Sequence, residues 1–125
     1  MLLLCAAAVA GIAVWIVSSS RTGTVTEDGT CGLDSLPPQA AETVRLIESG
    51  GPFPYPRNDG VVFGNFEGLL PKHERGYYHE YTVPTPGSHH RGTRRIVTGG
   101  EPRDDPAEFY YSGDHYESFC LIGGM

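Results

Sequence analysis

The stretch that decides the fold is YYHEYTV at residues 77–83, which is followed after a turn by RRIVT at residues 94–98. β-Branched and aromatic side chains dominate both stretches, and such residues favour extended strands. Between them, PTPG at residues 84–87 is a strong turn signal. The sequence therefore predicts two neighbouring strands here.

Alternation along these strands places charged side chains on one face. Successive side chains of a strand point to opposite sides of the sheet, so Glu80 shares a face with Tyr78 and Thr82. A carboxylate among aromatic residues needs a partner. Arg95 is the first candidate for this partner, with Arg91 two pleats earlier on the same side.

Two interpretations of this charged face remain open on residue chemistry alone. One is a structural cross-strand ion pair between Glu80 and Arg95. The other is a carboxylate held among guanidinium groups, which could bind and cleave a phosphate ester. His115, in the turn before the last predicted strand, could join such a site. A zinc-protease motif is absent, because His79-Glu80 is not followed by a second His at the required spacing.

The remainder of the chain predicts one helix and several short strands. Residues 36–51 read LPPQAAETVRLIESGG, in which prolines precede an apolar stripe of helical spacing and a Gly pair ends it. Short stretches rich in apolar and aromatic side chains at residues 61–63, 109–111 and 116–122 are separated by turn signals. The predicted fold is α+β, with one N-terminal helix packed on a small twisted antiparallel sheet of about five strands.

Length and charge limit the possible classes of protein. The 125 residues allow one small domain, and the formal net charge is −6. An acidic chain is a poor candidate for coating nucleic acid nonspecifically, because such binding depends on Lys and Arg. It can still grip one or two phosphates through a local cluster of arginines.

The first twenty residues differ from the rest of the sequence. Residues 2–17 carry no polar side chain, and three serines and Arg21 follow. This pattern predicts a signal peptide or, as the minority alternative, a retained N-terminal anchor over residues 1–20. We expect a flexible lead-in over residues 21–35, a folded domain over residues 36–125, and export of the protein from the cell.

Two cysteines lie near the two ends of the exported part. Cys31 and Cys120 could form one disulfide in an oxidising compartment. Alternatively, Cys120 lies within the final predicted strand and could be a packed free thiol. No Cys-x-x-Cys pair is present, so a zinc or redox site has little support.

Several blocks of sequence carry a specific resemblance. In order along the chain they are GPFPY at residues 51–55, DGVVF at 59–63, GYYHEYTV at 76–83, RGTRRI at 91–96 and YYSGDHY at 110–116. Together they resemble the secreted bacterial guanyl-specific ribonucleases of the ribonuclease Sa type, within the barnase superfamily. The resemblance extends from about Leu36 to Ile122.

This resemblance implies an endoribonuclease that cleaves single-stranded RNA after guanosine through a 2′,3′-cyclic phosphate. Glu80 matches the general base of the family and His115 its general acid. Arg91 and Arg95 match the groups that stabilise charge on phosphorus. The resemblance also implies a monomer with no metal and no cofactor, and a barstar-like protein inhibitor as a possible partner.

The same resemblance assigns guanine recognition to the segment FGNFE at residues 63–67. Glu67 would accept hydrogen bonds from guanine N1–H and the exocyclic amine. Backbone amides around Asn65 and Phe66 would bind O6. Phe63 and Tyr116 would stack on the base.

Two positions depart from the family pattern. Gly64 and Phe66 stand where close relatives usually carry Gln and Arg. The exchange removes a positive charge from the base loop and adds a stacking surface. It also raises an alternative function, namely a catalytically weakened module that binds a guanine nucleotide or an inhibitor.

Overall fold

The computed structural model describes residues 29–125 of the chain. The predicted signal peptide or anchor, and most of the predicted lead-in, lie outside the described residues. Within residues 29–125, no helix is long and apolar enough to cross a membrane.

The predicted helix is present as α1, Pro38–Ser49. Pro38 occupies the first turn, where its missing N–H costs no helical hydrogen bond. Gly50 ends the helix in the left-handed conformation, with φ of 79°. The stripe predicted from the spacing is the buried face, which consists of Ala40, Thr43, Val44 and Ile47. A short 3₁₀ helix at Leu33–Ser35 precedes α1.

The strands form one six-stranded sheet in the order β1-β6-β5-β4-β3-β2. Every neighbouring pair is antiparallel except β1 and β6, which run parallel. The strands are β1 Thr30–Gly32, β2 Val61–Val62, β3 Tyr78–Thr82, β4 Arg95–Gly99, β5 Glu108–Ser112 and β6 Cys120–Gly123.

The sheet differs from the predicted one by an extra strand of parallel direction. β1 lies within residues 21–35, which were predicted to be a flexible lead-in. Its three residues, TCG, carry no alternating apolar pattern. Pairing with β6, which places Cys31 opposite Ile122, gives the segment its strand conformation. A long-range contact of this kind leaves no local signal in the sequence.

Helix α1 covers one face of the sheet and forms the main core with it. A disulfide between Cys31 and Cys120 lies in this core and ties β1 to β6 across 89 positions of the chain. It joins the two cysteines that the sequence left as candidate partners. The other buried members of the core are Leu36, Ala40, Val44, Ile47, Tyr81, Val83, Ile96, Phe109 and Ile122.

The opposite face carries a second, smaller core and the charged side chains. Leu70 packs there with Tyr78, Val97 and Tyr110. The hydroxyl of Tyr78 donates a hydrogen bond to the Pro71 carbonyl at 2.6 Å. The loop between β2 and β3 therefore covers part of this face, and the part beyond it holds the candidate site.

Candidate active site

Glu80 lies at the centre of β3, on the face opposite the helix, as alternation predicts. One carboxylate oxygen, Oε1, lies 3.3 Å from Nη2 of Arg91. The other, Oε2, accepts a hydrogen bond from the hydroxyl of Tyr116. Both oxygens therefore have a fixed partner, and the carboxylate is held in one orientation.

The cationic partner of Glu80 is Arg91, whereas the sequence placed Arg95 first. Strand register explains the difference: Val97 lies opposite Glu80, and Arg95 lies opposite Thr82, two pairs further along. Arg91 comes from the loop before β4. Its Nε donates to Oγ1 of Thr82 at 2.9 Å, which orients the guanidinium toward Glu80.

Arg95 is a buried cation with an unused donor. Only 2% of its surface is exposed, and Nη1 donates to the carbonyl of Arg94 at 2.8 Å. Its Nε has no hydrogen-bond partner among residues 29–125, and its Cζ lies 5.9 Å from the ring centroid of Tyr116. Buried polar groups are normally paired, so this face of the sheet has a cationic donor that an anionic ligand could satisfy.

His115 lies in the turn between β5 and β6, and hydrogen bonds hold this turn. The backbone N–H of His115 donates to the carbonyl of Thr93 at 2.9 Å. Asp114 accepts a hydrogen bond from the Ser112 hydroxyl and two from Ser118. Burial opposes ionisation of Asp114, but the hydrogen bonds from Ser118 and Ser112 outweigh it and lower the pKa of this carboxyl. The turn thus has an anchor that is ionised at neutral pH.

The backbone of this turn is strained. His115 and Tyr116 have φ of 56° and 72°, in the left-handed region that few residues other than Gly adopt. The N–H of Tyr116 donates to the hydroxyl of Ser112 at 2.9 Å, which helps to hold the conformation. Strain of this kind is typical of sites where a side chain must point in an unusual direction.

Tyr116 connects the charged groups to the neighbouring pocket. Burial, together with its hydrogen bond to Glu80, raises the pKa of the Tyr116 phenol to about 12. The phenol is therefore protonated at neutral pH and donates to the carboxylate. Its ring lies 4.9 Å from the ring of Phe63, centroid to centroid.

The pocket beside the charged cluster encloses about 220 Å³. Aromatic rings line it and a carboxylate opens onto it, a combination suited to a flat polar ligand such as a nucleobase. Its lining residues are Phe63, Asn65, Phe66, Glu67, Leu69, His115, Tyr116 and Phe119.

The loop that carries Glu67 is held in shape by Asn65. Asn65 has φ of 51°, a conformation that Asn tolerates better than most residues. Its side chain donates to the carbonyl of Leu70 at 3.0 Å and accepts from the N–H of Leu70 at 3.1 Å. The side chain closes the loop, so the neighbouring backbone and Glu67 have a defined position at the pocket.

The structure thus gathers the predicted residues into two adjoining groups. Tyr116 bridges them, because its hydroxyl contacts Glu80 and its ring lines the pocket. His115 also lines the pocket, on the turn next to Thr93. Gly64 lies in the pocket loop without lining the pocket itself. The charged group consists of Glu80, Arg91 and Arg95, and the pocket group of Phe63, Asn65, Phe66, Glu67, His115 and Tyr116.

Sequence reasoning missed several contributors to the site. Thr82 orients Arg91, and the alternation that exposed Glu80 placed Thr82 on the same face. Ser112 and Asp114 hold the turn of His115. The Ser-Gly-Asp signal predicted a turn at these residues but not the hydrogen bonds that they make in it. Phe119 and Leu69 complete the pocket wall, and no spacing rule pointed to them.

A sequence model of one protein family, described as ribonuclease, matches residues 19–123. This chain belongs to the ribonuclease family.

Named relatives of this ribonuclease agree with the assignment. It is 57% identical over 94 residues to guanyl-specific ribonuclease Sa of Kitasatospora aureofaciens, covering 75% of this chain and 93% of that protein. It is 56% identical over 89 residues to guanyl-specific ribonuclease St of Saccharopolyspora erythraea, covering 71% of this chain and 82% of that protein. The resemblance stated from the sequence blocks is confirmed.

Solved structures agree on the fold of this ribonuclease. Ribonuclease Sa2 in complex with mononucleotides is 55% identical and has a TM-score of 0.64, covering 71% of this chain and 86% of that one. Ribonuclease Sa2 with guanosine-2′-cyclophosphate is 56% identical, with a TM-score of 0.61 and coverage of 70% and 87%. The predicted α+β class is confirmed, and the architecture is the microbial ribonuclease fold.

Proposed function

We propose that this ribonuclease is an endoribonuclease that cleaves single-stranded RNA on the 3′ side of guanosine. The observation that carries the proposal is the juxtaposition of a cation-bound carboxylate, Glu80, with a pocket that Glu67 and His115 line. The guanyl-specific relatives, with identities of 57% and 56%, support the base preference. The structure of ribonuclease Sa2 with guanosine-2′-cyclophosphate supports the same class of ligand.

In the first step Glu80 acts as the general base. Its carboxylate takes the proton of the ribose 2′-hydroxyl, and the 2′-oxygen attacks phosphorus. His115, protonated, donates a proton to the departing 5′-oxygen as the P–O5′ bond breaks. The products are a guanosine 2′,3′-cyclic phosphate and a free 5′-hydroxyl. Because the nucleophile is the 2′-hydroxyl, DNA is not a substrate.

In the second step the two residues exchange roles. His115 takes a proton from water, whose oxygen attacks phosphorus, and Glu80 returns a proton to the 2′-oxygen as the P–O2′ bond breaks. The product is a 3′-phosphate. The hydrogen bond from Tyr116 and the Arg91 contact keep the Glu80 carboxylate in place through both steps.

Arg91 and Arg95 stabilise negative charge on the phosphorus oxygens. Preorganised cations are effective because they need no reorientation when the charge develops. Arg95 is 2% exposed and its Nε has no partner among residues 29–125, so a phosphate oxygen at this face would supply the missing acceptor. Its packing near the Tyr116 ring keeps the guanidinium on the site face.

Guanine binds in the pocket, and Glu67 selects it. The carboxylate accepts hydrogen bonds from N1–H and the exocyclic amine, whereas adenine offers neither donor in that arrangement. Backbone amides near Asn65 and Phe66 bind O6. Phe63 and Tyr116 lie on the walls of the pocket, where each can stack on a base, a contact worth about 1–3 kcal/mol.

In the proposed reaction Glu80 and His115 transfer the protons and the two arginines balance the charge, so the chemistry calls for no metal or cofactor. No group of three or more His, Cys, Asp or Glu side chains suited to a metal ion occurs among residues 29–125. We expect cleavage to continue unchanged in EDTA.

The residue assignments are tested by mapping cleavage ends on a defined single-stranded RNA. We expect ends after guanosine only, with the cyclic phosphate accumulating first. Glu80→Gln and His115→Ala should each lower kcat/KM on GpN dinucleotides at least about 100-fold. The matched controls are Glu48→Gln and His89→Ala, which change exposed residues that belong to neither the charged group nor the pocket group. Near-parental turnover in both site variants would overturn the assignment, and intact RNA with the parent protein would favour a binding module.

Export of the protein is a separate proposal that rests on residues 1–20 alone. Mass spectrometry of the protein recovered outside the cells should find a mature N-terminus beyond residue 20. An N-terminus that retains residues 2–17 would support the anchored form instead.

A further inference from the structure

Phe66 is a large aromatic side chain that stands in solvent at the edge of the pocket. It is 89% exposed, the highest value among the exposed large hydrophobic residues of the described chain. Its ring also contributes to the lining of the pocket that contains Glu67 and His115. The ring therefore has a free surface next to the place where substrate is proposed to bind.

Gly64 makes room for this ring. A Cβ atom at position 64 would lie 2.5 Å from Cζ of Phe66, closer than real Cβ contacts come. Gly64 is not among the residues of positive φ, so its backbone does not require glycine. The lack of a side chain at position 64 is needed for the position of the Phe66 ring, and the two residues form a matched pair.

Arg75 gives the ring a cationic neighbour. The guanidinium carbon lies 6.0 Å from the ring centroid, at the limit of a cation–π contact. The ring thus has a glycine at its edge and a cation near its face, and most of its surface stays open. An aromatic surface with an adjacent cation is the usual combination for binding a base and its phosphate.

We propose, building on the proposed guanosine cleavage, that Phe66 stacks on the base of a nucleotide flanking the guanosine. The RNA chain itself supplies the group that covers the Phe66 ring. When the pocket holds the guanosine, the next nucleotide of the same chain must pass the rim of the pocket, where this ring lies. Every base has a π-face, so the contact accepts any flanking base and lacks hydrogen-bond selection. Arg75 is placed to contact the phosphate of the flanking nucleotide.

The test compares substrates that keep or lack the flanking base. The first pair, XpGpU, varies the nucleotide on the 5′ side of guanosine, and the second pair, GpX, varies the nucleotide on its 3′ side. In both pairs X is either adenosine or an abasic ribose. For each protein variant we take the ratio of kcat/KM between base and abasic substrate, so that any change in basal turnover cancels. The variants are Phe66→Ala, Gly64→Ala, the double variant, and Val62→Ala as an exposed apolar control on the opposite sheet face.

We expect a ratio of about fivefold or more on one of the two sides, the low end of base–aromatic stacking. Phe66→Ala should bring the ratio close to one. Gly64→Ala should lower the ratio, because the added methyl group displaces the ring. In the double variant Gly64→Ala should cause no decrease beyond that of Phe66→Ala. Val62→Ala should leave it unchanged. The side that shows the effect identifies the flanking nucleotide.

A ratio near one in the parent protein on both sides would overturn the proposal. So would a ratio that survives in Phe66→Ala, and the exposed ring would then be assigned to a protein contact. Failure of the guanosine proposal is a distinct result, because the parent would then cleave ApU as well as GpU whatever the base ratio is.

Discussion

The two faces of the central strands have opposite surroundings, although their residues alternate along the same backbone. On the covered face Tyr81 and Ile96 are almost completely buried against α1. On the site face Glu80 lies one residue away from Tyr81 and Arg95 one residue away from Ile96. The period-two geometry of a strand lets a single sequence stretch supply core and site together.

The site face is nevertheless not simply exposed. Val97 is completely buried in the second core, together with Tyr78, and Arg95 is 2% exposed. The difference between the faces is one of composition rather than of depth: one face is filled by apolar side chains, and the other mixes aromatic rings with charges. Changes on the covered face should therefore affect stability, and changes on the site face should affect catalysis.

The largest expected effect comes from the disulfide, which tests whether stability on the covered face is separate from catalysis on the site face. Replacing both Cys31 and Cys120 with Ala removes a covalent link that closes a loop of 89 positions on the covered face. On the chain-entropy account the free energy of unfolding should fall by about 4–5 kcal/mol. Because the link lies across the sheet from Glu80, kcat/KM should stay at the parental value for the folded fraction. Urea unfolding and dinucleotide kinetics measure the two quantities.

The matched control is the parent protein with its disulfide reduced, in which no residue is replaced. Reduction should reproduce the loss of stability without introducing cavities at the two positions. A fall in kcat/KM of the folded protein by more than about threefold in the double variant would show that the two faces are coupled.

The sequence predicted the elements that depend on local pattern. Apolar spacing identified α1, and alternation put Glu80 and Arg95 on one face. The strand β1 was not predicted, because its conformation depends on pairing with β6 far along the chain. Local periodicity reports short-range preferences, whereas an edge strand of three residues depends on tertiary contacts.

The partners within the site were less predictable than its members. Alternation showed that Glu80 and Arg95 share a face, but it could not show the register that places Val97 opposite Glu80. The contact of Tyr116 with Glu80 depends on a turn with positive φ at His115 and Tyr116. Such backbone conformations have no side-chain signature when Gly is absent, so no sequence rule predicted this contact.

Two buried threonines provide a smaller test of the separation between the faces. Thr82→Val removes the oxygen that accepts from Arg91 Nε at 2.9 Å. With its orienting acceptor lost, Arg91 should hold Glu80 less well, and kcat/KM should fall about threefold to tenfold. Stability should decrease by about 1 kcal/mol, the usual value of one hydrogen bond.

The matched change is Thr43→Val, on the helix. Its hydroxyl lies 3.0 Å from the carbonyl oxygen of Gln39 and 3.1 Å from that of Thr82. We expect a similar loss of about 1 kcal/mol with parental kcat/KM. Equal losses of activity in the two valine variants would contradict the assignment of Thr82 to the site.

The smallest effect that we expect is a loss of the stability contributed by Tyr116 at alkaline pH. Burial and the Glu80 carboxylate raise the pKa of this phenol from 10.0 to about 12. The native state thus holds the phenolic proton more tightly than the unfolded state. The resulting stabilisation is fully present below about pH 10 and is lost as the pH rises toward about 12. Urea unfolding of the parent and of Tyr116→Phe measures this loss. The difference between their free energies of unfolding should shrink as the pH rises across this range.

The Glu80→Gln variant shows whether the carboxylate contributes to this raised pKa. Without the negative charge only burial keeps the Tyr116 proton in place, so its phenolate absorbance should develop at lower pH than in the parent. Tyr81, on the covered face, serves as the internal reference, because burial raises its pKa without Glu80 among the causes. Unchanged titration of Tyr116 in Glu80→Gln would mean that the hydrogen bond between the two side chains does not persist in solution. The carboxylate would then be oriented by Arg91 alone, and the link between pocket and charged group would have to run through the backbone of the His115 turn.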